Sequence, residues 1–254
     1  MTAGNRFAGR SVIVTGGGSG IGEATARAFA AESAKVAVAE LDTARGEAVA
    51  AAIRAAGGTA LFIPTDATDE HSVRMMIEVA CAAHGSVQHA FNNVGMSRPG
   101  TLESLSLEDW NWTVTISLTS VFLAMKHEVP VMKANGGGTI VNTASMSGRL
   151  FTPAAPPSYA AAKAGVIHLT TYASCAYAAD NIRVNSVLPG LTATPVIAGM
   201  FSAEQQAAIA AEHQVIHRAV RPEEIAAAVL FLSSDETAMI TGRGLEVAGG
   251  SYHG

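Results

Sequence analysis

One doubly wound parallel β-sheet with helices on both faces is the fold that this 254-residue sequence predicts. Three observations point to it. Short apolar runs alternate with helical patterns from one end of the chain to the other, the rhythm of an α/β layer structure. The first run is β-branched and continuous, as a parallel strand buried under two helical layers requires. No linker separates two compositions, so residues 1–254 read as one domain.

Ser11–Thr15 (SVIVT) is the first strand and enters GGGSGIG directly. Ile21–Ser33 then has helical spacing, with Ile21, Ala24, Ala28 and Phe29 on one side. Lys35–Ala39 is a strand that ends in Glu40. Thr43–Ala56 reads as a helix and Ala60–Pro64 as a strand leading to Asp66. Asp69–Ala83 is an amphipathic helix capped by Thr68 or Asp69, and His89–Asn92 is a strand that stops at NNVG. Ser106 opens a long helix to Lys133, with Asp109 completing a capping-box pattern. Pro130 is expected to bend or break that helix. Ile140–Thr143 is a strand, Ser158–Ala179 a helix and Ile182–Leu188 a strand. Pro195–Val215 reads as helical, and Pro222 opens a helix to Leu232. Leu245–Ala248 is the last strand. Thr15, Glu40, Asp66, Asn92, Ser145 and Pro189 fall at or just after strand ends, so the fold should gather them on one edge, where ligands bind in such sheets.

The composition is 49% hydrophobic and 15% charged, enough for a sizeable core. A net charge of −5 gives no basic footprint for nucleic acid. Cys81 and Cys175 lie far apart in helical patterns and read as buried small residues of a reducing compartment. The N-terminus lacks the apolar core of a signal peptide, and no stretch is apolar enough to span a bilayer. These features point to a soluble cytoplasmic protein without membrane or nucleic-acid partners.

Thr15–Gly22 follows a strand and opens a helix. Glycines at 16, 20 and 22 allow a tight turn and a close approach to a pyrophosphate at a helix N-terminus. A carboxylate at Glu40 can accept hydrogen bonds from the adenosine ribose and would repel a 2′-phosphate. Ser19 and Leu41 offer that phosphate no positive charge. NAD is therefore favoured over NADP, with Asp42 as an alternative to Glu40 for the ribose contact.

Tyr159 and Lys163 are one helical turn apart on the same face. An ammonium beside a phenol favours the phenolate, which would make Tyr159 a general acid or base. Ser145, at a strand end, can supply a second hydrogen bond to the same substrate oxygen.

TGGGSGIG, Asp66 in TDAT, NNVG, Ser145, YAAAK (Tyr159–Lys163), PGLTATP (Pro189–Pro195) and ITGRGLEVAGG together resemble the short-chain dehydrogenases/reductases over essentially the whole chain. The resemblance implies a Rossmann-type fold and hydride transfer between a dinucleotide and a small alcohol or ketone with an apolar portion. It implies that Asp66, with Ala67 beside it, holds the adenine, and that Asn93 contacts the adenine-side ribose. Tyr159 would exchange the proton, Lys163 would bind the nicotinamide ribose and lower the phenol, and Ser145 would polarise the substrate oxygen. Thr192 and Thr194 would fix the carboxamide. Ser19, Ile21, Gly95, Pro189 and Gly190 complete the cofactor-binding set by the same likeness. In the segment ISLTSVF, Ser117 stands where the family places a catalytic Asn that positions a water behind the lysine, so that relay is in question here. Val94, Ser120 and Ala248 are milder departures.

The resemblance further implies a substrate lid at about 190–217 and a homotetramer. Met146, Leu150, Phe151, Met200 and Phe201 fall in the pocket-lining segments and suggest an apolar wall, though they suit a core equally. Trp110 and Trp112 read as packing or subunit contacts. His213 and His217 have i, i+4 spacing without a third ligand, so no metal is expected. The leading reading is an NAD-dependent oxidoreductase interconverting a secondary alcohol and a ketone. A reductase of 3-oxoacyl groups using NADPH is weaker, lacking a basic residue near 19 or 41. A dinucleotide-binding protein with little catalysis is favoured only by Ser117.

Overall fold

The computed structural model describes residues 4–251. Its strands are β1 Ser11–Thr15, β2 Lys35–Glu40, β3 Thr59–Pro64, β4 His89–Asn92, β5 Gly138–Thr143, β6 Ile182–Pro189 and β7 Gly244–Val247. They form one sheet in the order β3-β2-β1-β4-β5-β6-β7, and every neighbouring pair is parallel. The helices are α1 Gly20–Ala31, α2 Thr43–Ala55, α3 Glu70–His84, α4 Leu107–Val114, α5 Ser120–Ala134, α6 Pro157–Ala176, α7 Pro195–Met200, α8 Ala203–His213 and α9 Pro222–Ser233.

Alternation along β1 shows how the layers are held. Ile13 joins one core with Val73 and Met76 of α3, Val121 and Met125 of α5, and Val166 of α6. Val12 and Val14 point the other way, to Phe29 of α1, Val49 and Ile53 of α2, and Ile225 and Val229 of α9. Both faces are covered, which is why the strand runs are continuously apolar. The chain winds from β1 outward to β3, then returns to lay β4 on the other side of β1. That reversal opens a crevice at the strand ends. Register aligns Thr15 with Ala39, Glu40 with Pro64, Asn92 with Asn142 and Thr143 with Val187, so the residues expected at one edge are there.

Three expectations are corrected. The long helix is interrupted by a π-helical turn at Thr115–Thr119, not at Pro130. Pro130 lies on the exposed side of α5, and the carbonyl it leaves unpaired belongs to exposed Lys126, where water can take the bond. Pro195–Val215 is not one helix: Ser202 caps a new one by accepting from the Gln205 amide while the Gln205 side chain accepts from the Ser202 amide. Cys175 is exposed rather than buried.

A buried polar network fixes the two strands that end at the crevice. Asn92 Nδ2 donates to Glu128 Oε2 (3.1 Å) and to Asn142 Oδ1 (3.0 Å), and Asn142 Nδ2 donates to Thr170 Oγ1 (3.0 Å). These four side chains, from β4, α5, β5 and α6, are all buried. Burial pushes the Glu128 carboxyl up to about 7, against the opposing pull of the Asn92 bond. The folded state therefore holds this proton where the unfolded chain has released it. The contribution is complete below the ordinary carboxylate range and is lost as pH rises toward about 7. Glu128→Gln mimics the protonated acid. Its stability relative to wild type should rise by up to roughly 3 kcal/mol as pH climbs from the ordinary carboxylate range to about 7, and stay level above that, read from melting temperatures across the range. A difference between the two proteins that does not vary with pH would contradict this.

Candidate active site

The glycine turn sits at the head of the crevice. Gly16 and Gly20 have φ of +63° and +54°, in the left-handed region. A Cβ on Gly22 would lie 2.0 Å from the Gly16 carbonyl oxygen, so α1 begins in backbone contact with the turn. The first amides of α1, in the Ser19–Gly22 stretch, have no intrahelical partners and suit an anion. Asn93 ties three strands together here. Its amide N donates to Thr15 Oγ1 (3.0 Å), its Nδ2 to the Gly16 carbonyl (3.4 Å), and its Oδ1 accepts from Thr143 Oγ1 (3.3 Å). Thr194 folds over from the far side: a Cβ on Gly20 would meet Thr194 Cγ2 at 3.2 Å.

Glu40 is buried against the turn. Its Oε2 accepts from the Gly18 amide (3.0 Å), and its Oε1 from the amides of Leu41 (3.0 Å) and Asp42 (3.2 Å). Asp42 is engaged elsewhere, capping α2 through the Arg45 amide (3.0 Å). Asp66 Oδ1 accepts from the Thr68 amide (2.8 Å) and hydroxyl (2.6 Å), while Asp69, not Thr68, caps α3. Ala67 lines a small cavity with Thr15 and Asn92. A tight glycine turn at a helix N-terminus, with two carboxylates along the same edge, fits a dinucleotide.

Ser145 follows β5 and accepts from the Ser147 amide (3.2 Å). Pro157 opens α6, which carries Tyr159 and Lys163. Lys163 Nζ lies 5.6 Å from the Tyr159 ring centre and donates to the Thr143 carbonyl (2.6 Å). Burial lowers the Lys163 ammonium to about 8. Burial also raises the Tyr159 phenol, and a hydrogen bond with Ser145 pulls it the other way. Lys163 is not among the influences that move the phenol in this arrangement. Desolvation is the larger of the two influences on the phenol.

Ser117 lies in the π-helical turn and is fully buried. Its Oγ donates to the Met96 carbonyl (2.6 Å) and accepts from the Met96 amide (3.0 Å). A single hydroxyl therefore pins both backbone groups of the loop after β4. Gly95 lets that loop reach Lys163, since a Cβ there would lie 2.8 Å from Nζ.

Sequence reasoning passed over the Thr143 carbonyl and the Met96 backbone, because any residue type supplies those groups. It also passed over Gly148, where a Cβ would lie 2.6 Å from the Lys163 backbone carbon, although the glycine itself was a signal. Met146 belongs to the core. Phe151 and Met200, from the segments after β5 and β6, are 90% and 64% exposed.

A family model described as enoyl-(acyl carrier protein) reductase matches residues 16–252. The cis-4-hydroxycyclohexanecarboxylate dehydrogenase of Sinomonas cyclohexanicum is 44% identical over 249 residues, covering 97% of this chain and 98% of that one. The 2,5-dichloro-2,5-cyclohexadiene-1,4-diol dehydrogenase LinX of Sphingobium indicum is 38% identical, covering 97% of each. The chain belongs to the short-chain dehydrogenase/reductase family. Among solved structures, a 7α-hydroxysteroid dehydrogenase complexed with NADH and 7-oxoglycochenodeoxycholic acid superposes with a TM-score of 0.93 at 29% identity, covering 100% of this chain and 98% of that one. As a short-chain dehydrogenase/reductase, the protein is an oxidoreductase with a nicotinamide-dinucleotide-binding fold. No described helix is long and apolar enough to cross a membrane.

Proposed function

We propose that this protein oxidises a secondary alcohol borne on an alicyclic ring to the ketone, with NAD as cofactor and Tyr159 as general base. The observation that carries the reading is the convergence of Ser145, Tyr159 and Lys163 beside the glycine turn, in a chain whose named relatives act on ring alcohols.

Gly16, Ser19, Gly20, Ile21 and Gly22 would hold the pyrophosphate, Glu40 the adenosine ribose, and Asp66 with Ala67 the adenine. Asn93 and Gly95 shape the floor, Lys163 and Tyr159 take the nicotinamide ribose, and Pro189, Gly190, Thr192 and Thr194 the carboxamide end. When bound, NAD supplies the hydride acceptor. Tyr159 takes the hydroxyl proton, and Ser145 donates a hydrogen bond to the same oxygen as charge changes there. On turning from the Thr143 carbonyl to the nicotinamide ribose, Lys163 would bring its charge to bear on the Tyr159 phenolate, and Ser117 keeps the Met96 loop in register with the lysine.

NAD should be used about 100-fold more efficiently than NADP, because Glu40 sets a like charge against a 2′-phosphate. Glu40→Ala should narrow that ratio by roughly tenfold, read as kcat/KM for each dinucleotide. A preference for NADP in the wild type would sink the cofactor reading. Ser117→Ala should lower kcat by about tenfold, through loss of register at Lys163. Ser117→Asn can reach the same two backbone groups and should keep or raise turnover. A large loss on Ser117→Asn would show that Ser117 has a role an amide cannot fill.

A further inference from the structure

Gln214, just beyond α8, lies where three chain segments meet: its buried amide closes the turn through Ile216 and Arg218, its backbone bridges to Ser251, and Gly190 and Gly249 pack on its side chain. We propose that Gln214 is a positioning residue that clasps the neck of the α7–α8 lid to the C-terminal turn and so fixes how the lid covers the alcohol site. The proposal rests on the dehydrogenase reading given above for its kinetic consequence, and on the geometry alone for its mechanical one.

Gln214 is 2% exposed. Its Nε2 donates to the carbonyls of Ile216 (3.2 Å) and Arg218 (2.8 Å). Its backbone forms an antiparallel bridge with Ser251, and the Ile216 amide donates to the Gly249 carbonyl (2.9 Å). Two glycines from distant parts of the chain press on this one side chain. A Cβ on Gly190, at the end of β6, would lie 3.3 Å from Oε1. A Cβ on Gly249 would lie 2.8 Å from Nε2, where φ is also +61°.

The lid needs such a fastening. Its base is stitched by the Thr192–Val220 bridge and by bonds of Val220 N to Leu191 O and Ala193 N to Val220 O, each 2.8 Å. Between base and clasp, α7 buries no side chain and α8 buries only Gln206 and Ala210. Elements with so little apolar anchorage are held by their ends. Removing the amide leaves two carbonyls at the neck without their donor, which frees the segment that brings Thr194 over Gly20. The only charged side chain in the clasped turn after His217 is Arg218, and it is turned outward to Glu224 (2.6 and 2.8 Å).

The test compares wild type, Gln214→Ala, Gly249→Ala and the double variant, using cyclohexanol and NAD as probes. Gln214→Met, which keeps length and removes both donors, is read in the same assays in case the alanine variant folds poorly. Gln214→Ala should raise the alcohol KM about tenfold and the NAD Kd by no more than about threefold, because only the 190–194 end of the cofactor set adjoins the clasp, while the Gly16–Gly22 turn, Glu40 and Asp66 lie outside it. Limited proteolysis of the dinucleotide-free protein should cut within residues 203–213 roughly ten times faster. Gly249→Ala should do less harm in the Gln214→Ala background, since Nε2, the nearest atom its Cβ would meet, is gone, while the strain at φ +61° and the Ile216 contacts at 3.3 and 3.4 Å remain. KM and cleavage within twofold of wild type, or additive effects in the double variant, would overturn the proposal. If the wild type oxidises no alcohol, that bears on the dehydrogenase reading alone: faster cleavage of the Gln214 variants then upholds the clasp, and unchanged cleavage refutes it.

Discussion

Tyr159→Phe is expected to lower kcat for ring-alcohol oxidation by about a thousandfold or more, with the NAD Kd unchanged within about threefold. The phenylalanine ring keeps the packing of α6 against the turn that follows Ser145. What is lost is one oxygen, the acceptor of the substrate proton. The pH profile gives a second handle. Burial holds the phenol above its ordinary value, so the base form is scarce at neutral pH. Alcohol oxidation should climb as pH rises and phenolate forms, and ketone reduction should climb as pH falls. Both limbs should vanish in Tyr159→Phe. A variant that retains more than about a tenth of wild-type turnover would remove Tyr159 from the chemistry.

Gly22→Ala should weaken dinucleotide binding by about 100-fold, measured by calorimetry. The added Cβ would sit 2.0 Å from the Gly16 oxygen, 2.7 Å from the Gly16 carbon and 3.0 Å from Asn93 Nδ2. No rotamer relieves a methyl group, and two of the three neighbours are backbone, so the turn itself must move. Gly57 is the control. Its φ is +86° and a Cβ there would meet nothing within 4 Å. Gly57→Ala should therefore cost about 1 kcal/mol of stability from backbone strain and leave binding untouched. Equal binding losses at both positions would mean that general destabilisation, not the turn, is being measured.

The layered sheet was legible because each strand is a continuous apolar run and each helix shows its own spacing. The edge on which Thr15, Glu40, Asp66, Asn92 and Ser145 meet follows from that alternation alone. Other features were hidden for physical reasons. The π-helical turn at Ser117 is set by tertiary bonds to Met96, and nothing in the local spacing of ISLTSVF announces it. Pro130 looked like the break, but it faces solvent, where the missing bond matters little. The Tyr159–Lys163 spacing was read correctly as a shared face. Sequence cannot show that Nζ turns to the Thr143 carbonyl or that desolvation raises the phenol against its bond with Ser145. Glu128 and Gln214 carry no motif at all; their importance comes only from what burial places around them.

The most direct measurement incubates the purified protein with NAD and cyclohexanol and follows the near-ultraviolet absorbance of the reduced nicotinamide together with the ketone. Cyclohexanone and reduced dinucleotide are expected in equal amounts. No reduction of either NAD or NADP across a panel of cyclic and linear secondary alcohols would contradict this.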